Sequence, residues 1–378
     1  RQSIPSSSIA NCAGVTETLA AALTHFEEFE LIDPGSAFSA IAAKGARDAA
    51  SALGAAYVLE GSLQCALGKA RVGVQLIDVA GGQRVWSETR DYSLDDPFAL
   101  QDDITAFVAS TLGEAVGEEQ ARAIAHLATD ELSGYQLMVR GLQLLHRLAP
   151  ETNARARDCF ARVVAEDTGH HFPALCYHWT DAVALSNGWP PSAPDALERG
   201  IAAIGGLLRD RDRSGHLHRL MARLQLCVGD HAQALAHSQR AVELNPFHSD
   251  MIMSHGIILM WHGRAAEGAE LGARALAINP YAPAYYKAYH AIICFFAGRH
   301  EDGLKALESV ENSVAASRIA DIANLSALGR GQEAKASAKK LLAERPDFDL
   351  AKQLAAYPLR RAEDRAHLEE ALRKAGLG

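Results

Sequence analysis

Apolar residues recur at helical spacing through most of the chain, and from Leu132 onward they predict helices to the end. Glycine and proline punctuate this pattern at fixed intervals. Gly229 and Pro246 lie seventeen residues apart, as do Gly263 and Pro280, and the second pair follows the first after thirty-four residues. Because glycine allows the chain to turn after one helix and proline stops the next, this period predicts antiparallel helix pairs stacked into a solenoid.

Small side chains lie where the two helices of each predicted pair should touch. We expect Ala234 and Ala241 in particular to be buried between paired helices. The next repeat, from Tyr281 to about Asn312, lacks its proline and is degenerate, and residues 350–377 should supply one or two closing helices. The small residues at equivalent positions of the two regular repeats are Ala222 and Gly256, Ala234 and Gly268, and Ala241 and Ala275.

Two stretches of this pattern, GDHAQALAHSQRAVELNP (229–246) and GRAAEGAELGARALAINP (263–280), resemble tetratricopeptide repeats. The resemblance implies that the first helix of each pair lines a concave surface that binds a protein or peptide. Two arginines one helical turn apart, followed by aromatic residues, would suit an extended peptide with an acidic group and apolar anchors. The alternative is that the apolar residues among them only pack between repeats. The positions that the resemblance places on or near this surface are His216, Arg219, Arg223, Asp250, Met253, Ile257, Trp261, Tyr285 and Phe295.

The first third of the chain has a different pattern. Three strand-like runs (56–67, 70–79 and 83–92) are separated by glycine turns and predict a three-stranded antiparallel meander. Helical spacing predicts helices at 15–26, at 46–53 with a stop at Gly54, and over 98–127. The short apolar run FELID (29–33) is compatible with a further strand.

The phrases GVTETLAAAL, LGAAYVLEGSLQ, VGVQLIDVAGGQRVW and FALQDDIT together resemble the TolB-amino-terminal-like α/β domain. That domain precedes tetratricopeptide repeats in bacterial adenylate cyclase homologues and in transcription regulators with a winged-helix amino terminus. The resemblance implies an α/β domain over residues 1–128 and a repeat solenoid with carboxy-terminal capping helices over residues 129–378. The opening SIPSSSIAN departs from the apolar first strand of that family.

Charge and composition narrow the possible partners and compartment. The net charge of −9 comes entirely from the first 128 residues, where acidic side chains repel phosphate, so we expect no direct nucleic-acid binding by this segment. Apolar runs stop near eleven residues, which predicts no membrane span. The six cysteines form no CxxC pair, which favours free thiols in a reducing cytoplasm. The chain opens on Arg1 rather than Met, so we expect a further segment upstream.

No catalytic signature is present: GxxxxGK[ST], GxGxxG after a strand, HExxH and GxSxG are all missing from the sequence. No two histidines stand three or four residues apart, so we predict no metal and no cofactor. The acidic pairs Asp95-Asp96 and Asp102-Asp103 favour the amino end of a helix rather than acid–base chemistry. We expect Trp86 to lie in the sheet core.

These observations predict a non-catalytic sensor and protein-interaction segment of a bacterial signalling or transcription regulator. An upstream DNA-binding winged helix is one possible output domain. The alternatives are the regulatory segment of an adenylate cyclase homologue and an enzyme with a pocket between the two domains.

Overall fold

The computed structural model describes residues 19–20, 22–23, 31–32, 46–66, 69–93, 97–125, 127, 132–166, 171–280, 282–308, 310 and 315–378. Over these residues the chain is mostly helical, with a small three-stranded antiparallel sheet in its first third. The chain divides into two compact units, Arg1–Arg122 and Ala123–Gly378.

The sheet of the first unit consists of β1 (Tyr57–Ala66), β2 (Lys69–Asp78) and β3 (Arg84–Ser93), paired in that order and antiparallel throughout. The predicted meander is therefore confirmed. The helix α1 (Ala46–Ala52) precedes it, and Gly54 follows in the left-handed conformation at φ +74°, which an L side chain rarely adopts.

The core of the first unit lies between this sheet and the long helix α2 (Pro97–Ile124). Alternate residues of β2 are buried, among them Val72 and Val74, and they pack with Ile104 and Phe107 of the helix. Trp86 is partly buried, with its ring centroid 6.0 Å from that of Phe107, as expected for a sheet-core residue.

Two predictions near the amino terminus fall mostly outside the described residues. Within the predicted helix 15–26, residues 19, 20, 22 and 23 are described and are helical. The described part of the predicted strand 29–33, Leu31 and Ile32, is not in a strand.

The second unit contains fourteen helices among its described residues. They are α3 (Gly134–His146), α4 (Pro150–Ala165), α5 (Phe172–Ser186), α6 (Ala196–Asp210), α7 (Gly215–Cys227), α8 (His231–Leu244), α9 (Ser249–Trp261), α10 (Ala265–Ile278), α11 (Ala284–Phe296), α12 (His300–Leu307), α13 (Ala315–Ala327), α14 (Gly331–Glu344), α15 (Leu350–Ala356) and α16 (Ala362–Lys374).

The helices recur with the predicted period. Helix α7 begins at residue 215 and α9 at 249, and α8 begins at 231 and α10 at 265, so each step is 34 residues. Gly229 and Gly263 have φ of +82° and +94° in the turns between paired helices. Helix α8 ends two residues before Pro246 and α10 two residues before Pro280. Glycine therefore marks the turn within each of these helix pairs, and proline follows the end of the pair.

Backbones approach closely where the small residues lie. Ala234 and Ala241 are 0% and 1% exposed, as predicted. Gly256 of α9 and Gly268 of α10 face each other, and a Cβ atom on Gly268 would lie 2.5 Å from the carbonyl oxygen of Gly256. Helices α9 and α10 therefore touch main chain to main chain at this crossing.

The degenerate repeat has a short second helix, α12, of eight residues. From α11 to α13 the step between helix starts is 31 residues rather than 34. At the carboxyl end, Leu368 and Leu372 of α16 are fully buried in the same hydrophobic core as α9, α11 and α13, so the predicted closing helices cover that core.

Candidate functional site

The side chains predicted to line a concave surface come from α7, α9 and α11, the first helices of successive pairs. Arg219 of α7 forms an ion pair with Asp250 of α9, and the two side chains are only 11% and 14% exposed. The Arg219 guanidinium also lies 4.2 Å from the centroid of the Trp179 ring on α5. Tyr285 of α11 donates a hydrogen bond from its hydroxyl to Asp250 Oδ1 at 3.1 Å. Four helices are thus linked through one buried charge pair.

Arg223, one turn along α7, has different partners. Its Nε donates to Ser186 Oγ at 2.8 Å, and its Nη2 lies 3.5 Å from the hydroxyl oxygen of Tyr289. Arg223 is 8% exposed. The expectation that Arg219 and Arg223 converge on one carboxylate of a bound peptide is therefore corrected: Arg219 pairs with Asp250 of this chain, and Arg223 turns to α5 and α11.

Two further contacts extend this arrangement along the inner helices. The His146 ring at the end of α3 lies 5.5 Å from the ring of Tyr285, so a side chain of α3 contacts one of α11. His216 is 3% exposed and stands edge-on to two rings, Phe172 at 5.8 Å and His248 at 5.1 Å. We call the polar and aromatic side chains that link these helices the inner network; its members are His146, Trp179, Ser186, Arg219, Arg223, Asp250, Tyr285 and Tyr289.

The apolar members of the predicted set belong to the core. Met253 and Phe295 are 0% exposed and Ile257 is 2% exposed. Phe295 packs against Phe296 and against His367 of α16, with ring centroids 5.1 and 4.6 Å apart. For these three residues the packing alternative describes the structure, because their neighbours leave no surface for a partner.

Trp261, at the end of α9, is 5% exposed because other aromatic rings cover it. Its ring lies 5.1 Å from that of Tyr357 and 6.4 Å from that of Phe296. Tyr357 belongs to the segment between α15 and α16. The carboxy-terminal part of the chain therefore covers one of the residues predicted to contact a partner.

Sequence reasoning missed several members of the inner network. Tyr289 carried a usable signal, because it lies four residues after Tyr285 and so shares its helix face. Trp179 and Ser186 precede the regular repeats, where the register could not be carried over. Tyr357 lies outside any repeat, and nothing in the sequence pattern pointed to it.

Among the described residues, no three histidine, cysteine or acidic side chains stand together as metal ligands would. Burial raises the pKa of the Cys159 and Cys227 thiols and raises that of Cys294 to about 12, so these thiols stay protonated near neutral pH. Cys159, Cys176, Cys227 and Cys294 are free thiols. Cys12 and the Cys65 side chain lie outside the described residues.

Several histidines are held neutral by burial. Burial, together with the charge of Arg219, lowers the pKa of His146 to about 4. Burial lowers the pKa of His255 to about 4 as well, with a further contribution from Arg264. Burial is likewise the largest cause of the lowered pKa of His178, His218, His231, His237, His262 and His290.

Stability is therefore expected to fall on mild acidification. The unfolded chain protonates His146 and His255 near pH 6.5, whereas the folded chain protonates them near pH 4. The stability that comes from keeping these two side chains neutral is therefore complete above pH 6.5 and is lost as the pH falls toward 4. Between pH 7 and pH 5.5 we expect His255 alone to contribute a loss of about 1 kcal/mol. Urea unfolding at both pH values, with His255→Gln losing correspondingly less than wild type, measures this. Equal losses in both proteins would contradict it.

The chain was compared with known proteins. No family model matches it. It is 30% identical over 197 residues to a protein named "Putative adenylate cyclase 3" from Rhizobium meliloti (strain 1021), a match that covers 50% of this chain but only 32% of that protein. A solved structure, the crystal structure of the P58(IPK) TPR domain, matches with 15% identity over 74% of this chain and 91% of that one, at a TM-score of 0.23.

The described helices were also tested for membrane spans. None of them combines the length and the hydropathy needed to cross a bilayer.

Proposed function

We propose that this chain is a non-catalytic protein-interaction segment of a bacterial signalling protein, with tetratricopeptide-type repeats that bind a protein partner. The single observation that carries the proposal is the 34-residue register of helix pairs, with left-handed glycines between paired helices and small residues at their crossings. Arrays of this kind present extended surfaces built from successive repeats, and their function is usually recognition.

The match to a cyclase-named protein favours one version of this proposal, in which the chain is the regulatory segment of an adenylate cyclase homologue. The match covers half of this chain and about a third of that protein, so a catalytic domain would lie in another part of such a protein. The absence of catalytic motifs in the sequence is consistent with a catalytic domain elsewhere in such a protein.

Two further expectations belong to the same proposal. The acidic excess of the first 128 residues would oppose binding to nucleic acid, so the partner would be a protein or peptide. The segment would act in the cytoplasm, where its free thiols stay reduced.

The proposal is tested by binding and by turnover. The purified chain, immobilised, is exposed to a lysate of the source bacterium, and a retained protein is purified and titrated against the chain by calorimetry. We expect saturable binding with a defined stoichiometry and no formation of cyclic AMP from ATP and Mg²⁺ by the chain alone. Turnover of ATP by the chain, or the absence of any partner that binds in purified form, would contradict the proposal.

A further inference from the structure

Residues 357–361, with the sequence Tyr-Pro-Leu-Arg-Arg, cross the carboxyl end of α9; we call them the tail segment. The backbone N–H of Arg360 donates to the carbonyl oxygen of Trp261 at 3.1 Å. The Arg360 side chain donates from Nη1 to Nε2 of His262 at 2.7 Å. One main-chain bond and one side-chain bond thus join the tail segment to consecutive residues at the end of the first helix of a repeat.

Tyr357 is the buried anchor of the tail segment. It is 8% exposed, and its ring lies 5.1 Å from that of Trp261 and is tilted by 44° to it. Burial raises the pKa of its phenol, and the neighbouring Tyr289 acts in the same direction, whereas the positive charges of Arg345 and Arg223 oppose it. The Tyr357 side chain therefore lies among residues from α7, α9 and α11, where the sequence predicted a bound peptide.

Two further arginines, Arg361 and Arg365, and the buried side chain of Leu359 hold the tail segment in place. Arg361 packs so tightly over Gly263 that a Cβ atom there would lie 2.9 Å from Arg361 Cδ. Arg365 of α16 donates to the carbonyl oxygen of Tyr357 at 3.1 Å. Leu359 is also 8% exposed and joins the core that contains Trp261.

These contacts resemble those of a bound peptide: an irregular backbone with a main-chain hydrogen bond to the repeat, a buried aromatic anchor, and a basic group on a side-chain acceptor. Within the tail segment the Leu359 N–H donates to the Tyr357 carbonyl oxygen at 2.8 Å, so the backbone turns between these two residues. His262 is suited to accept from a guanidinium because burial and the charges of Arg360 and Arg264 lower its pKa and keep it neutral. The acceptor for the basic residue is thus an imidazole nitrogen and not a carboxylate.

We propose that the tail segment is an internal ligand of this surface, and that the protein partner presents an irregular segment of the same chemistry, an aromatic residue followed three positions later by an arginine. The inference rests on the proposed function for the existence of a partner. Because the tail segment is tethered at both ends, its effective concentration is of the order of millimolar, so it weakens binding of a competing segment added in solution.

The test uses the full chain and a fluorescent peptide that copies residues 354–362, LAAYPLRRA. Tyr357→Ala vacates the anchor position, and Tyr135→Ala is the matched control because Tyr135 is a 58% exposed tyrosine on α3. By fluorescence anisotropy we expect the peptide to bind Tyr357→Ala at least about tenfold more tightly than wild type. Tyr135→Ala should match wild type, and a peptide with alanine in place of its tyrosine should lose the gain.

Equal affinity of the peptide for wild type and for a folded Tyr357→Ala protein, with folding checked by a thermal melt, would overturn the proposal. If Tyr357→Ala does not fold, Arg360→Ala decides, because Arg360 is exposed and its side chain can be removed without opening the core. We then expect the peptide to bind Arg360→Ala about threefold more tightly than it binds wild type. Equal affinity for these two proteins would again overturn the proposal.

The two proposals fail in different ways. A purified partner that binds the chain but is not displaced by the peptide refutes the internal ligand and leaves the interaction role intact. A peptide that behaves as expected when no partner can be found supports the internal ligand and removes support for the interaction role.

Discussion

Asp250→Ala is expected to lower the free energy of unfolding of the second unit by about 3–5 kcal/mol. The substitution leaves the Arg219 guanidinium, 11% exposed and packed on Trp179, without its counter-charge, and it also removes the acceptor of the Tyr285 hydroxyl. An unpaired buried charge costs far more than the pair contributes. Denaturant unfolding followed by far-ultraviolet circular dichroism measures the loss.

The matched control for this prediction is Glu243→Ala. Glu243 forms an ion pair with Arg240 in which both side chains are about half exposed, so water replaces the lost partner and we expect a change of about 0–1 kcal/mol. The double variant Arg219→Met/Asp250→Leu should lose less than Asp250→Ala, since it leaves no orphan charge. A loss as small as that of the control would mean that Arg219 is solvated and available to an outside carboxylate, as the sequence first suggested.

Gly268→Ala is expected to destabilise the same unit by at least about 3 kcal/mol, the upper end of the usual cost of overpacking. The added methyl group would lie 2.5 Å from the Gly256 carbonyl oxygen and 3.3 Å from Ile293 Cγ2. Main-chain atoms cannot rotate away as a flexible side chain can, so α9 and α10 would have to separate along their crossing. The midpoint of urea unfolding reports the change.

Gly206→Ala is the control with the same chemical change in the same unit. Gly206 lies inside α6, and its nearest outside atom would be Arg209 Nη2 at 3.5 Å, an ordinary contact. Replacing a helical glycine by alanine there should stabilise the unit by about 0.5–1 kcal/mol. If both alanine variants shift the midpoint in the same direction, the close crossing of α9 and α10 does not exist in solution.

Much of the fold follows from local rules that the sequence displays. Left-handed glycines, helix-stopping prolines and small residues at crossings act within about one repeat. The turns at Gly229 and Gly263 and the burial of Ala234 and Ala241 could therefore be predicted from the sequence. Alternation in β2 has the same local origin. These features need no knowledge of how successive pairs are rotated against each other.

The inner network could not be predicted because its contacts depend on that rotation. Arg219 and Arg223 share a helix face, yet Arg219 reaches α9 and α5 whereas Arg223 reaches α5 and α11. Which helix each arginine meets depends on how successive pairs are rotated against each other. The position of Tyr357 depends in addition on where the chain folds back after α14. Met253 and Phe295 looked suited to an outside partner, but contacts inside the unit bury both side chains.

The contact between His146 and Tyr285 has a consequence for cooperativity. In an open array each repeat touches only its neighbours, so stability is close to a sum of local terms and the ends can unfold independently. Here the His146 ring on α3 contacts the Tyr285 ring on α11, far along the chain, so these helices are not linked to their immediate neighbours alone. Deleting α3 is therefore expected to lower the stability of α11 as well as that of its neighbour α4.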